Sequence, residues 1–105
     1  MENEAKTLKI EQTKDNDVLT CHLSGWLDPN TSPEFVSSVD LTNIKTLICD
    51  MKNVEYVFSA GLRAFLQLYR TMEESGGKIV LINVSDSIRS VFEYTGFGSI
   101  LEPKA

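Results

Sequence analysis

A serine placed where an extended segment turns into a helix can carry a phosphate, and Tyr56-Val57-Phe58-Ser59-Ala60-Gly61-Leu62-Arg63 has that form. These residues follow the strand-like run Thr46-Leu47-Ile48-Cys49-Asp50. From Leu62 onward, Leu62, Phe65, Leu66, Tyr69 and Met72 recur at helical spacing, with Arg63, Gln67, Arg70 and Glu74 between them. The spacing predicts a helix over about 59–74, with Ser59 at or near its N-cap. There the hydroxyl accepts from the first unpaired backbone amides. A group added to that oxygen would meet free N–H donors and the positive end of the helix dipole. Two readings follow, a phosphate acceptor or a cap and nothing more, and position alone favours the cap.

Other chemistry finds little support. The single histidine, His22, lies in a strand-like run with no neighbouring Cys, Asp or Glu at ligand or triad spacing, and reads as a surface or half-buried sheet residue. Ser59-Ala60-Gly61 is not a nucleophile elbow, because position 57 is Val rather than Gly. Gly76 and Gly77 read as a helix stop, and neither a P-loop nor a dinucleotide fingerprint is present. Cys21 and Cys49 lie far apart along the chain, without the spacing of a zinc knuckle or redox pair, and read as buried reduced thiols. No enzyme, metal or cofactor is expected.

Composition narrows the partners. A chain of 105 residues is expected to be one domain over 1–105. Its net charge of −5 argues against nucleic acid and against anionic membrane surfaces. No run approaches the roughly 20 apolar residues of a membrane span. Met1-Glu2-Asn3-Glu4-Ala5-Lys6 lacks the basic-then-apolar order of a signal peptide, so a cytoplasmic location is expected.

The elements that must position Ser59 can be read along the chain. Residues 8–11 and 18–23 are strand-like and flank the turn-rich Lys14-Asp15-Asn16-Asp17, which predicts an antiparallel hairpin. Leu19, Cys21 and Leu23 share one face, and Val18, Thr20 and His22 the other. Residues 24–31 read as a loop, followed by a short helix around 33–39 with Pro33 in its first turn. Residues 46–50 form a strand, and Ser75-Gly76-Gly77 ends the helix that follows. Residues 78–83 hold four consecutive aliphatics, the pattern of a strand buried on both faces. Strand, helix and strand of these lengths imply a right-handed parallel crossover. Ser85 or Asp86 can cap a last helix whose Ile88, Val91 and Phe92 face inward and which ends near Gly96. Phe97, Ile100 and Leu101 suit a short edge strand. The fold class is α/β, a mixed sheet of four or five strands with helices mainly on one face. The expected core includes Leu47, Ile48, Leu62, Phe65, Leu66, Tyr69, Ile79, Val80, Leu81 and Phe92.

Three ordered segments are similar to a known family. Residues 47–63 resemble the signature of STAS domains, and more closely that of bacterial anti-sigma factor antagonists, in which an apolar strand and loop lead into D-S-S-G-L or S-S-A-G-L at a helix start. Residues 24–34, Ser24-Gly25-Trp26-Leu27-Asp28-Pro29-Asn30-Thr31-Ser32-Pro33-Glu34, are similar to the family's G-x-L-D-x-x-T-x-P-E segment. Residues 85–97 resemble its V-x-x-x-L-x-x-T-G-L ending. The resemblance implies a STAS sandwich that binds an anti-sigma factor, itself a serine kinase, while unphosphorylated. Phosphorylation of the motif serine breaks that binding, and a PP2C-type phosphatase resets it. The acceptor, two residues before the motif glycine, corresponds to Ser59, and Asp28 matches an acidic residue that lies beside the acceptor in the family. Phe58 departs from the pattern, since Asp or Ser is usual there. The implied partner surface comprises Trp26, Asp28, Thr31, Phe58, Ser59, Ala60, Gly61, Leu62 and Arg63. Trp26 and Phe58 are either interface anchors or core residues. Two other readings stay open: a STAS scaffold that is never phosphorylated, which Phe58 favours, and a cytoplasmic accessory of a lipid or anion transporter.

Overall fold

The computed structural model describes residues 7–102. Residues 1–6, on which the expectation about an export signal rests, and 103–105 lie outside the described residues. The chain begins with a hairpin, β1 (Leu8–Asp15) and β2 (Val18–Leu27), whose two-residue turn holds Asn16 at φ 56°. Asn accepts this left-handed backbone at low cost, as a tight hairpin requires. Helix α1 (Thr31–Ser38) leads to β3 (Thr46–Val57), helix α2 (Ser59–Glu74) to β4 (Lys78–Ile82), and helix α3 (Asp86–Tyr94) to a 3₁₀ turn, Gly98–Ile100.

The strand order is β1-β2-β3-β4, antiparallel in the hairpin and parallel across the other two seams. The expected mixed sheet is present with four strands. In place of a fifth, Leu101 makes one parallel rung with Leu81, and Glu102 N donates to Leu81 O at 2.9 Å. Alternation along the strands puts Leu19, Cys21, Leu23, Leu47, Cys49, Met51, Ile79 and Leu81 on one buried face. All three helices bury side chains in the cluster that lines it. Each contributes one phenylalanine. Phe65 of α2 meets Phe35 of α1 edge-on at 5.4 Å and Phe92 of α3 at 5.7 Å, and all three rings are fully buried.

Several expectations need correction. Strands β2 and β3 continue past residues 23 and 50, through register shifts between His22 and Ser24 and between Gly25 and Trp26, so much of the expected first loop is strand. Strand β4 buries Ile79 and Leu81, whereas Val80 and Ile82, like Ile48 on β3, are half-buried on the open face. Four aliphatics in a row here mark an edge strand with an apolar outer side. Helix α2 has the expected bounds but a rotated inner face, formed by Gly61, Ala64, Phe65, Leu68 and Met72. Leu62, Leu66 and Tyr69 are half-buried at its flank. The reason is close approach: a Cβ on Gly61 would lie 2.9 Å from both Leu27 Cβ and Val57 Cγ1. Small residues let the helix backbone sit on the sheet, and counting large apolar side chains misses that. On α3, Ile88 and Phe92 point inward while Val91 is 38% exposed. Ser85 caps that helix as expected, accepting from Ile88 N at 3.3 Å.

Candidate functional site around Ser59

Backbone bonds fix where Ser59 sits. Leu27 at the end of β2 pairs with Val57 at the end of β3, and Phe58 N donates to Leu27 O at 2.8 Å. One residue later the chain turns into α2. Phe58, extended at φ −87° and ψ 175°, is the N-cap residue, and its carbonyl accepts from Gly61 N and Leu62 N. Ser59 is therefore the first helical residue and supplies no side-chain cap, a correction to the expected capping role. Its exposed hydroxyl has no hydrogen-bond partner among the described residues. The amides of Ser59 and Ala60 likewise donate to nothing among them. A nucleophilic oxygen thus stands unspent beside two free N–H donors at the positive end of a 16-residue helix.

The neighbouring turn, Asp28 to Thr31, is held from within. Asp28 Oδ1 accepts from the amides of Asn30 and Thr31, each at 2.8 Å. The Thr31 hydroxyl accepts from Asp28 N at 3.0 Å and donates to Trp26 O at 2.6 Å. The amide bond from Thr31, opposed by desolvation and joined by the bond from Asn30, holds the Asp28 carboxyl below its usual range. Asp28 and Thr31 are buried, at 9% and 5% exposure, so the structure spends them on shaping the start of α1 rather than on presenting side chains outward.

Trp26 and Phe58 belong to a surface cluster, not to the core. Their rings lie 5.6 Å apart, and Tyr56 joins both, 5.4 Å from Trp26 and 4.5 Å from Phe58. Trp26 and Phe58 are half-buried and Tyr56 is 51% exposed. Trp26 Nε1 donates to Glu55 Oε1 at 3.0 Å, which fixes the indole. Tyr56 and Glu55 were missed by sequence reasoning. The available signal was period-two alternation, which puts Tyr56 and Phe58 on one side of an extended segment. On the other flank of Ser59, Ala60 and Arg63 line a groove of about 560 Å³ between α1 and α2, with Pro29, Ser32 and Val36 opposite. Gly61, Asp28 and Thr31 are buried, so of the expected partner residues Ser59 and Arg63 are exposed and Trp26, Phe58, Ala60 and Leu62 half-buried.

Two further polar sites lie elsewhere. His22 does have an acidic neighbour, contrary to expectation: in parallel register its Nδ1 lies 2.9 Å from Asp50 Oδ2, and Asn83 Nδ2 donates to Asp50 Oδ1 at 3.0 Å. Partial burial pushes the Asp50 carboxyl up, but the bonds from Asn83, Lys52 N and His22 outweigh it and hold the group below its usual range. Cys21 and Cys49, distant in sequence, are also register partners, and both are buried free thiols. Burial raises the Cys21 thiol to about 11 and, with Cys21 beside it, raises Cys49 as well. Such thiols are poor nucleophiles. Among the described residues no cluster of His, Cys, Asp and Glu could hold a metal ion, and no helix is long and apolar enough to cross a membrane.

Comparison with known proteins agrees with this fold. The chain is 28% identical over 94 residues to the anti-sigma-B factor antagonist of Listeria monocytogenes, covering 87% of this chain and 82% of that one. It is 24% identical over 98 residues to the anti-sigma F factor antagonist of Paenibacillus polymyxa, covering 90% and 84%. The fold superposes on the unphosphorylated form of the anti-sigma factor antagonist SpoIIAA with a TM-score of 0.80 at 20% identity, covering 92% of this chain and 89% of that one. The sequence profile of the STAS domain matches residues 9–104. An open four-stranded sheet with three helices on one face and a profile that spans nearly every residue agree, and the chain belongs to the STAS domain family.

Proposed function

We propose that this protein is a cytoplasmic anti-sigma factor antagonist built as one STAS domain. It binds an anti-sigma factor that is also a serine kinase, through the surface around Ser59. Phosphorylation of Ser59 ends the binding, and a PP2C-type phosphatase restores it. The observation that carries this reading is the exposed, unbonded hydroxyl of Ser59 on the first residue of α2. The names of the relatives supply the partner class. In the transfer the Ser59 oxygen attacks the γ-phosphorus of ATP, the bond to the β-phosphate oxygen breaks, ADP leaves, and the hydroxyl proton passes to a base of the kinase. The product carries about −1.5 to −2 charges where a neutral hydroxyl stood. A partner surface fitted to the hydroxyl must then desolvate a dianion, so affinity falls without refolding of the domain.

The test is reconstitution with the anti-sigma kinase encoded by the same genome. With ATP the chain gains one phosphate, on Ser59, and Ser59→Ala gains none. Ser59→Asp binds the kinase at least tenfold more weakly than wild type while its melting temperature stays within a few degrees, because an acidic residue in the first helical turn is favourable. Phosphate on Ser32 or Ser85 instead, or full-strength binding by Ser59→Asp, would overturn the switch in favour of a constitutive scaffold.

A further inference from the structure

We infer that Arg63, with the first turn of α2, forms the binding site for a phosphate carried on Ser59, and that Arg63 is the residue through which the modification is read. The inference rests on Ser59 being the acceptor. Around the head of the α1–α2 groove, several hydrogen-bond donors stand unspent. The amides of Ser59 and Ala60 are unspent. The Arg63 guanidinium makes no ion pair or hydrogen bond among the described residues. Opposite them in the same groove stands Ser32, 2% exposed, whose Oγ is buried without a hydrogen-bond partner. A buried hydroxyl in that state costs free energy, which is why such groups are rare unless something completes them. No acidic side chain lines this groove, and Arg63 is its one charged residue. What the arrangement lacks is an anionic acceptor.

Ser59 and Arg63 stand one helical turn apart, so their Cβ atoms are about 5–6 Å from each other and the long arginine reaches a phosphate with ease. A guanidinium suits a phosphate better than an ammonium does, because two parallel N–H groups match two oxygens. Asp28, next to the groove-lining Pro29, has its Oδ1 already occupied by two amides of its own turn, and Glu55, four residues before Ser59, accepts from Trp26 Nε1. Phosphorylation thus converts the groove head from one positive charge to a net of about −0.5 to −1. It also engages the one cation that an incoming carboxylate could meet there. Loss of a partner's acidic contact at Arg63 is then a direct consequence of the modification, separate from steric exclusion at Ser59.

The full chain with phosphoserine encoded at position 59 tests this without any kinase, so failure here and failure of the antagonist reading are separable. The readout is the second pKa of the phosphate, followed by phosphorus NMR, with the amide protons of Ser59 and Ala60 followed in parallel. Arg63→Gln should raise that pKa by about 0.3–0.5 unit, Arg63→Lys should restore at least half of the difference, and both amides should move downfield as the dianion forms. An unchanged pKa in Arg63→Gln overturns the inference. So does an equal rise in Arg63→Gln and Arg63→Lys, which would mean that packing rather than charge is at work.

Discussion

Two aromatic triads, one inside and one outside, divide the labour of this domain. Phe35, Phe65 and Phe92 meet edge to face with no exposure, and each belongs to a different helix. Trp26, Tyr56 and Phe58 meet face to face or tilted at 4.5–5.6 Å, at the ends of two parallel strands and the residue that follows one of them, and keep part of their surface in water. The buried set joins the helical layer together. The outer set orders a patch beside Ser59 while leaving its apolar area available, which is what an interface anchor needs. Similar ring contacts are sealed in the core in one place and left partly open to solvent in the other, and burial is the difference.

That contrast can be broken by substitution. Phe65→Ala removes the ring shared by all three helices and should destabilise by about 3–5 kcal/mol in urea unfolding. A loss below about 1 kcal/mol would mean that the helices do not depend on this junction. Tyr56→Ala should do the opposite, weakening binding to the anti-sigma kinase tenfold or more while changing stability by only about 1 kcal/mol. Equal affinity of the variant and wild type would move the interface off the outer triad. Asp28→Ala tests the boundary between the two regions. An inward carboxylate predicts a lower melting temperature first, with binding lost only as the turn loosens. Its pH dependence follows in sign from the lowered pKa: the Asp28 contribution is complete above the unfolded carboxyl value of about 4 and is lost as pH falls through the lower folded value. Thermal melts from pH 7 to 3 should therefore converge for Asp28→Ala and wild type at the acid end. Leu66→Ala, on the half-buried flank of α2, should cost about 1 kcal/mol, and Val91→Ala under about 0.5 kcal/mol.

Much of this was legible in the residues. The hairpin, the order of elements, the parallel seam between β3 and β4 and both ends of α2 follow from periodicity and from the glycine stop, because those signals are local. The inner face of α2 was not, since Gly61 and Ala64 face the sheet for lack of bulk rather than for hydrophobicity. Nor was the His22–Asp50 pair, nor the Cys21–Cys49 pair, because register between parallel strands is set by a crossover of many residues and not by either strand alone. Ser59 could be placed at the head of α2, and Arg63 within that helix, from sequence. Tyr56 could not be joined to Trp26 until the register shift at Gly25–Trp26 was known.

The bond from Phe58 N to Leu27 O, with Gly61 pressed against Leu27 and Val57, bolts the start of α2 to the ends of two strands. Ser59 therefore stands on a rigid pedestal and cannot be drawn out as a loose thread. An enzyme that modifies it must accept a folded shape, with Trp26 and the α1 turn arriving from more than 25 residues away in sequence. A peptide of residues 52–66 would carry the acceptor without its surroundings, and a kinase that reads this domain should pass it by.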